Sequence, residues 1–311
     1  MKVLEEPLVS IIVITYNSSK YVLETLESAK VQTYQNIELI VSDDCSTDNT
    51  VQICRNWIAE NKDRFVRTKL ITIEKNTGIA PNCNRGLNNA KGEWVKFIAG
   101  DDILLDNCIF TLMNFCFENS NCRILFGRMF ILKNSVITKD EVLDFYSMSQ
   151  KDQFIKVLNG SGIPSQACFI KSDIFKEFGG YNEEFKYIED GPFWFKISEN
   201  GIYFHFVNEF VVKYRLHENN ISGSKRNSRF INEKFYNDQK RIYREILYQK
   251  LLYYKQYKTI LHLNNLLAIN DLIILFGNKV NIISMILELL IFKHTYHKFS
   301  RFLKKTYNLI Y

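Results

Sequence analysis

Strand-like and helical stretches alternate through the first hundred residues of this 311-residue chain. That order predicts an α/β fold with a doubly wound, mostly parallel sheet, followed by a C-terminal helical extension. Three observations carry the prediction. Short apolar runs rich in β-branched residues fit strands buried on both faces. Apolar residues at helical spacing separate those runs. Polar and acidic residues collect just after the strands, where ligands sit in open α/β sheets.

The elements follow in chain order. Residues 8–15 (Leu-Val-Ser-Ile-Ile-Val-Ile-Thr) form the first strand-like run. Tyr16-Asn17-Ser18-Ser19 reads as a loop, with Ser18 or Ser19 as helix N-cap. Val22, Leu23, Leu26 and Ala29 give a helical stripe over 21–31. A second strand at 37–41 runs into Ser42-Asp43-Asp44-Cys45-Ser46, and 47–62 reads as a helix. A third strand at 70–73 is broken by Asn76-Thr77-Gly78. A helix over 82–91, closed by Gly92, leads to the strand at 94–99. That strand ends in Gly100-Asp101-Asp102. Neighbouring strand residues face opposite ways, so a glycine turn is needed for both carboxylates to reach one site. Two hard oxygen ligands suit Mg²⁺ or Mn²⁺ on a diphosphate; Gly-Asp-Asp is also ordinary turn chemistry.

Composition narrows the classes. With 46% hydrophobic and 24% charged residues the chain is globular. Its seven cysteines form no Cys-x-x-Cys pair, which argues against a disulfide framework or thiolate zinc site and fits a reducing cytoplasm. No signal peptide is read at the start, where Glu5 and Glu6 interrupt any apolar core. The loop after the first strand is not Gly-x-Gly-x-x-Gly, and no Gly-rich loop with Lys-Ser/Thr occurs, so dinucleotide and P-loop chemistry are disfavoured. A nucleotide would need other holds: Tyr16 can stack a base, and Asp43 or Asp44 can accept from a base N–H or ribose hydroxyl.

Taken together, residues 9–17, Asp43-Asp44-Cys45-Ser46-Thr47-Asp48, Asn76-Thr77-Gly78-Ile79-Ala80 and Gly100-Asp101-Asp102 resemble the family 2 glycosyltransferases, over roughly residues 7–224. The resemblance implies a Rossmann-like GT-A fold, an inverting transfer from a nucleotide-sugar (a UDP-sugar) and Mn²⁺ or Mg²⁺ as cofactor. By that match Tyr16 and Asp44 grip the base, with Thr15, Asn17, Asp43 and Asn76 around the donor. Asp102 is the metal ligand of a DXD-like motif, and Asp101 lies nearer the ribose or donor sugar. The family's Arg-Asn pair is replaced here by Cys83-Asn84. Arg85, one residue later, is the candidate for the positive charge, although one helical step turns a side chain by about 100°.

The acceptor half is expected at about 106–225, after a nucleotide-sugar half at about 1–105. Residues 127–151 are mixed in pattern. A polar loop, 159–166, ends in Gln166, an acceptor-binding candidate, before a strand at 167–170 and a helix at 174–178 capped by Ser172 or Asp173. Glu189-Asp190 precedes Gly191-Pro192 and a helix-like run. Carboxylates are favoured at a helix N-terminus, so a dipole-matched cap is one reading. The resemblance makes Asp190 the general base and Glu189 its neighbour. Trp194 either stacks an acceptor sugar or packs the core. After the last strand, Arg215 and His217 match a loop that reaches the diphosphate or metal, with Ser222 and Ser224 in a segment that orders over the donor.

Residues 226–311 read as basic, aromatic helices. From Arg241 onward there are 11 Lys and Arg against 3 Asp and Glu, while the remainder holds 29 against 31. An apolar stretch at 280–292, too short to span a bilayer, is followed by Lys293, Lys298, Arg301, Lys304 and Lys305 among Phe299, Phe302, Tyr307 and Tyr311. That suits a peripheral contact with an anionic membrane at its cytoplasmic face, and hence a lipid-linked saccharide acceptor such as a polyprenyl diphosphate sugar in surface-polysaccharide assembly. A helical cap or homodimer contact fits as well; nucleic acid has no other support in the chain. The competing functional readings are a metal-dependent nucleotidyl- or phosphotransferase and a non-catalytic membrane-associated scaffold.

Overall fold

The computed structural model describes residues 6–160, 163–217 and 231–279. The chain divides between His217 and Glu218 into two compact units.

The first unit is built on one nine-stranded mixed sheet. β1 (Val9–Thr15), β2 (Ile37–Asp43), β3 (Arg67–Ile71) and β4 (Trp94–Ala99) pair in parallel in the order β3-β2-β1-β4. Their crossovers are α1 (Val22–Lys30), α2 (Thr50–Asn61) and α3 (Ile79–Asn88). The near-continuous apolar runs of β1 and β2 are explained by burial on both faces. The buried polar pair in these strands is satisfied: Ser10 donates to Glu38 at 2.6 Å, and Arg67 reaches the same carboxylate at 2.9 Å.

The chain leaves β1 toward β2 and β3 and later returns to β4 on β1's other side. β1 and β4 therefore flank the topological switch point, where a crevice opens beyond the strand C-termini. Thr15, Asp43 and Ala99 end the three strands around that crevice.

Beyond β4 the pairing changes direction. β5 (Ile103–Leu104) and α4 (Cys108–Glu118) lead to β6 (Ile124–Lys133), which turns back through Asn134 and Ser135 into β7 (Val136–Lys139). Both turn residues have positive φ, 47° and 67°, the left-handed pair that a two-residue hairpin favours. This hairpin occupies the stretch whose sequence pattern is mixed. α5 (Gln150–Leu158), β8 (Cys168–Lys171), α6 (Ser172–Phe178), α7 (Asp190–Glu199) and β9 (His205–Leu216) complete the unit. β8 is antiparallel to both β4 and β6, whereas β9 runs parallel to β6 and antiparallel to β5.

Several local expectations are corrected. Neither Ser18 nor Ser19 caps α1: its N-cap is Tyr21, and the Ser18 main-chain oxygen accepts from Tyr21 and Val22. α3 starts three residues early, with Pro81 tolerated in its first turn, and ends at Asn88 with Asn89, not Gly92, as its C-cap. α6 begins at Ser172, with Lys171 as its N-cap.

The second unit holds α8 (Glu233–Arg241), a π turn at Ile242–Leu247, α9 (Tyr248–Tyr253) and α10 (Tyr257–Leu275). Tyr236 donates to Asp271 at 2.7 Å, and Lys240 pairs with the same carboxylate at 2.6 Å, tying α8 to α10. No described helix is long and apolar enough to cross a membrane. The expectations on Ser222, Ser224 and residues 280–311 lie outside the described residues.

Candidate active site

The candidate residues fall into three clusters. The first surrounds Asp44. Its main-chain N–H donates to the Thr15 oxygen, so the carboxylate is set at the end of β1. The carboxylate is 3% exposed. It accepts from Thr77 Oγ1 at 2.8 Å, from the Thr77 and Gly78 N–H groups at 3.1 and 2.8 Å, and from Arg85 at 2.6 Å. A carboxylate has about four acceptor positions, so this one is saturated. Asp44 therefore holds Arg85 and the Thr77 loop and offers no open acceptor. Asn76 joins the same stitch, donating to the Asp44 main-chain oxygen at 3.2 Å.

The departure at Cys83-Asn84 resolves here. The first turns of α3 place Arg85 toward the crevice, where it also donates to Thr77 Oγ1 at 2.7 Å. Its Nε is buried without a hydrogen-bond partner. Asn84 instead clamps the acceptor half, accepting from the Tyr181 N–H at 2.9 Å and donating to the Tyr181 oxygen at 2.9 Å.

Thr15 and Asp43 are corrected to a supporting role. Both are about 1% exposed and bonded to one another at 2.8 Å, and Ser46 takes the rest of Asp43. Asn17, at φ 50°, accepts from the Thr47 N–H at 2.8 Å and so laces the first loop to the second. Tyr16, between them, is 49% exposed and stands free to stack.

The second cluster joins the ends of β4 and β9. Asp101 Oδ2 lies 2.8 Å from His217 Nε2. Asp102 is 1% exposed and accepts from the Arg215 N–H at 2.8 Å. Burial, then the adjacent Asp101 charge, pushes Asp102 well above the usual carboxylate range. The Arg215 guanidinium donates to the Asp101 main-chain oxygen at 2.8 Å, pairs with Glu24 at 2.5 Å and lies over the Tyr21 ring. Gly100 makes the approach: a Cβ there would sit 2.8 Å from the Thr15 methyl.

Among the described residues no group of three or more His, Cys, Asp or Glu side chains is arranged to hold a metal ion by itself. Mg²⁺ and Mn²⁺ with nucleotides commonly take only one or two carboxylates, the phosphates and water completing the shell. A desolvated acid beside a second acid, with one N–H for company, is a donor set that a divalent cation fits.

The third cluster is at the N-terminus of α7. Asp190 is its first residue, and Asp190 Oδ1 accepts from the Gly191 N–H at 2.7 Å. Asp190 Oδ2 accepts from Ser165 Oγ at 2.6 Å, and Ser165 Oγ accepts from Trp194 Nε1 at 3.0 Å. An indole N–H only donates, so the serine must accept from it and turn its own proton to Asp190. Burial, and then the neighbouring Asp190 charge, pushes Glu189 up to about 8.

Trp194 is corrected from sugar platform to core. It is 3% exposed, packed edge-on against Phe126, Phe193 and Phe204, and it acts on the site through Ser165. Gln166 lies in the 3-10 turn Ser165–Ala167; its main-chain oxygen is taken by Lys96 Nζ, and its side chain makes no hydrogen bond among the described residues. Sequence reasoning missed Ser165 and Lys96. The signal for the second was available, since Lys96 is a lone charge inside an apolar strand.

The first cluster and the segment leading to the third are linked through main chain. The Ile79 N–H donates to the Lys186 oxygen at 2.9 Å, which joins the Thr77 loop to the segment before Glu189.

Residues 10–178 match the family model described as Glycosyl transferase family 2. The chain belongs to glycosyl transferase family 2. A curated relative from Escherichia coli, the UDP-Glc:alpha-D-GlcNAc-diphosphoundecaprenol beta-1,3-glucosyltransferase WfaP, is 32% identical over 70% of this chain and 81% of its own. An uncharacterized glycosyltransferase from Rickettsia typhi is 31% identical over 68% of this chain and 65% of its own length. Glycosyltransferase GlyG from Streptococcus pneumoniae is 40% identical over 34% of each chain. The chain thus spans less than two thirds of the length of some of these relatives. Among solved structures, S. aureus TarS residues 1–349 in complex with UDP-GlcNAc superposes with TM-score 0.59 at 22% identity, covering 76% of this chain and 67% of that one. That likeness concerns the fold, which in this family 2 glycosyltransferase is GT-A.

Proposed function

We propose that this family 2 glycosyltransferase moves a sugar from a UDP-sugar to a hydroxyl of a lipid-linked saccharide with inversion at the anomeric carbon, in bacterial surface-polysaccharide assembly. The observation that carries the chemistry is Asp190 with one donor on each oxygen, Ser165 and Gly191. Glu189, pushed up to about 8 by burial and then the Asp190 charge, keeps a proton at neutral pH. The acceptor oxygen attacks the anomeric carbon, its proton passes to Asp190, and the bond from that carbon to the diphosphate breaks. One displacement inverts the centre.

On the donor side, the exposed Tyr16 stacks the base, and Arg85, held by Asp44, brings positive charge to that side. Asp102, with Asp101 beside it, would hold Mn²⁺ or Mg²⁺, which when bound neutralises charge on the departing diphosphate. Arg215 lies beside them to meet the same phosphates.

The acceptor class is supported from two sides. WfaP, by its name, acts on GlcNAc-diphosphoundecaprenol. In the second unit, Tyr257, Leu261, Leu272 and Leu275 of α10 are exposed and fall within about 60° of one another at 100° per residue. Exposed Lys255 and Lys258 stand beside that stripe, as at an anionic membrane surface. A thermal-shift panel of nucleotide-sugars with and without Mn²⁺ tests the donor, because a ligand that binds only the native state raises its stability. Asp190→Asn tests the base: turnover is lost while UDP still binds. Release of pyrophosphate or phosphate in place of UDP overturns the reading.

A further inference from the structure

Lys96 is among the largest fully buried side chains, at 0% exposure in the middle of β4. Its ammonium donates to two neutral carbonyls, Phe97 at 3.2 Å and Gln166 at 2.5 Å, and forms no ion pair among the described residues. Its charge acts on Asp102 only at a distance; a buried charge with no direct ion pair costs several kcal/mol, and an apolar side chain of similar volume is commonly tolerated better. Folding alone therefore favours methionine or leucine at this position. The carbonyl it reaches lies 70 residues away in sequence, in the turn that also carries Ser165.

From these contacts we infer that Lys96 is a positioning residue for the acceptor-side base: by pinning the Gln166 carbonyl it holds Ser165 where its hydroxyl orients Asp190. The links are short and directional. Lys96 Nζ fixes Gln166; Ser165, the preceding residue, donates to Asp190 at 2.6 Å; and Trp194 fixes the serine's proton direction from the other side at 3.0 Å. β4 is also the strand that ends at Gly100-Asp101-Asp102. One side chain thus ties the strand feeding the donor-side acids to the turn feeding the base.

The inference rests on Asp190 being the base, so its test separates the two. In the intact chain, Lys96→Met keeps volume and removes the ammonium. Its melting temperature stays level or rises. In a ¹⁵N spectrum, the Trp194 indole N–H signal (assigned by W194F) shifts, while that of Trp57, remote in the fold, does not. With UDP-glucose and a synthetic GlcNAc-diphospho-lipid, kcat falls about 10- to 100-fold from misplacement of the base, and donor KM changes less than about twofold. Adding Ser165→Ala to Lys96→Met costs less than the two separate losses combined, as expected of one chain of contacts. An unmoved Trp194 signal with unchanged kcat overturns the role of Lys96, as does a loss confined to KM. Wild-type transfer that survives Asp190→Asn overturns the base assignment instead. Should wild type not use UDP-glucose, the Trp194 signal still decides. Lys96→Gln, which keeps N–H donors on a shorter stem, gives the same reading if the methionine variant does not fold.

Discussion

Glu189→Gln isolates the proton held beside the base. In the folded chain Glu189 rises from its ordinary 4.5 to about 8, through burial first and the Asp190 charge second. A carboxyl whose folded value lies above its unfolded value gives its full stabilisation below the unfolded value. That stabilisation is lost as pH rises through the folded one. The window here is pH 4.5 to 8. At about 1.4 kcal/mol per unit, the ceiling is about 5 kcal/mol, and local relaxation on deprotonation lowers it to about 2–4 kcal/mol. Glutamine keeps the shape of the protonated acid and cannot ionise. Urea unfolding followed from pH 5 to pH 9 should therefore give matching curves for variant and wild type at pH 5. At pH 9 the variant should be more stable by that amount. Asp102 is shifted in the same direction, but it is present in both proteins and drops out of the difference. Curves that stay parallel across the window, or a variant that is weaker at pH 9, refute the reasoning.

Asp190→Asn should lower kcat by at least about 10³-fold, with UDP affinity by calorimetry within a few fold, since general-base contributions run to 10²–10⁴. Asp44→Asn should cost about 3 kcal/mol in chemical denaturation, because Arg85 loses a counter-ion that is only 4% exposed; the thermal shift with UDP should also disappear. Trp194→Phe should lower kcat about 3- to 10-fold with unfolding free energy within about 1.5 kcal/mol, since packing survives and one hydrogen bond is lost. Leu261→Asp with Leu275→Asp should abolish co-sedimentation with vesicles containing 30% phosphatidylglycerol at low salt while leaving UDP binding intact; undiminished sedimentation counts against α10 as the lipid face.

The parallel half of the fold was legible because burial on both faces leaves an apolar run that nothing else produces, as in β1 and β2. Element ends were less so. α3 begins at a glycine with φ 101°, and Pro81 sits inside its first turn, where a proline reads as a break. The hairpin of β6 and β7 was hidden because β6 is buried only over its first four residues, so no single period describes it. Asn134-Ser135 was its one local signal.

At the site, acids were easier to find than the groups that govern them. Asp44, Asp102 and Asp190 stand in short polar runs after strands or before a helix, and topology brings those ends together. What each acid can do is set by donors from distant sequence: Thr77 and Arg85 for Asp44, the Arg215 N–H for Asp102, Ser165 for Asp190. The Asp44 carboxylate is saturated with donors, whereas Asp190 has one donor on each oxygen, which suits the base proposed for it. The same residue type thus takes opposite roles according to how many N–H and O–H groups the fold delivers. That count belongs to the tertiary structure, which is why Asp44 and Asp43 read alike as donor contacts in sequence and neither presents an open carboxylate in space.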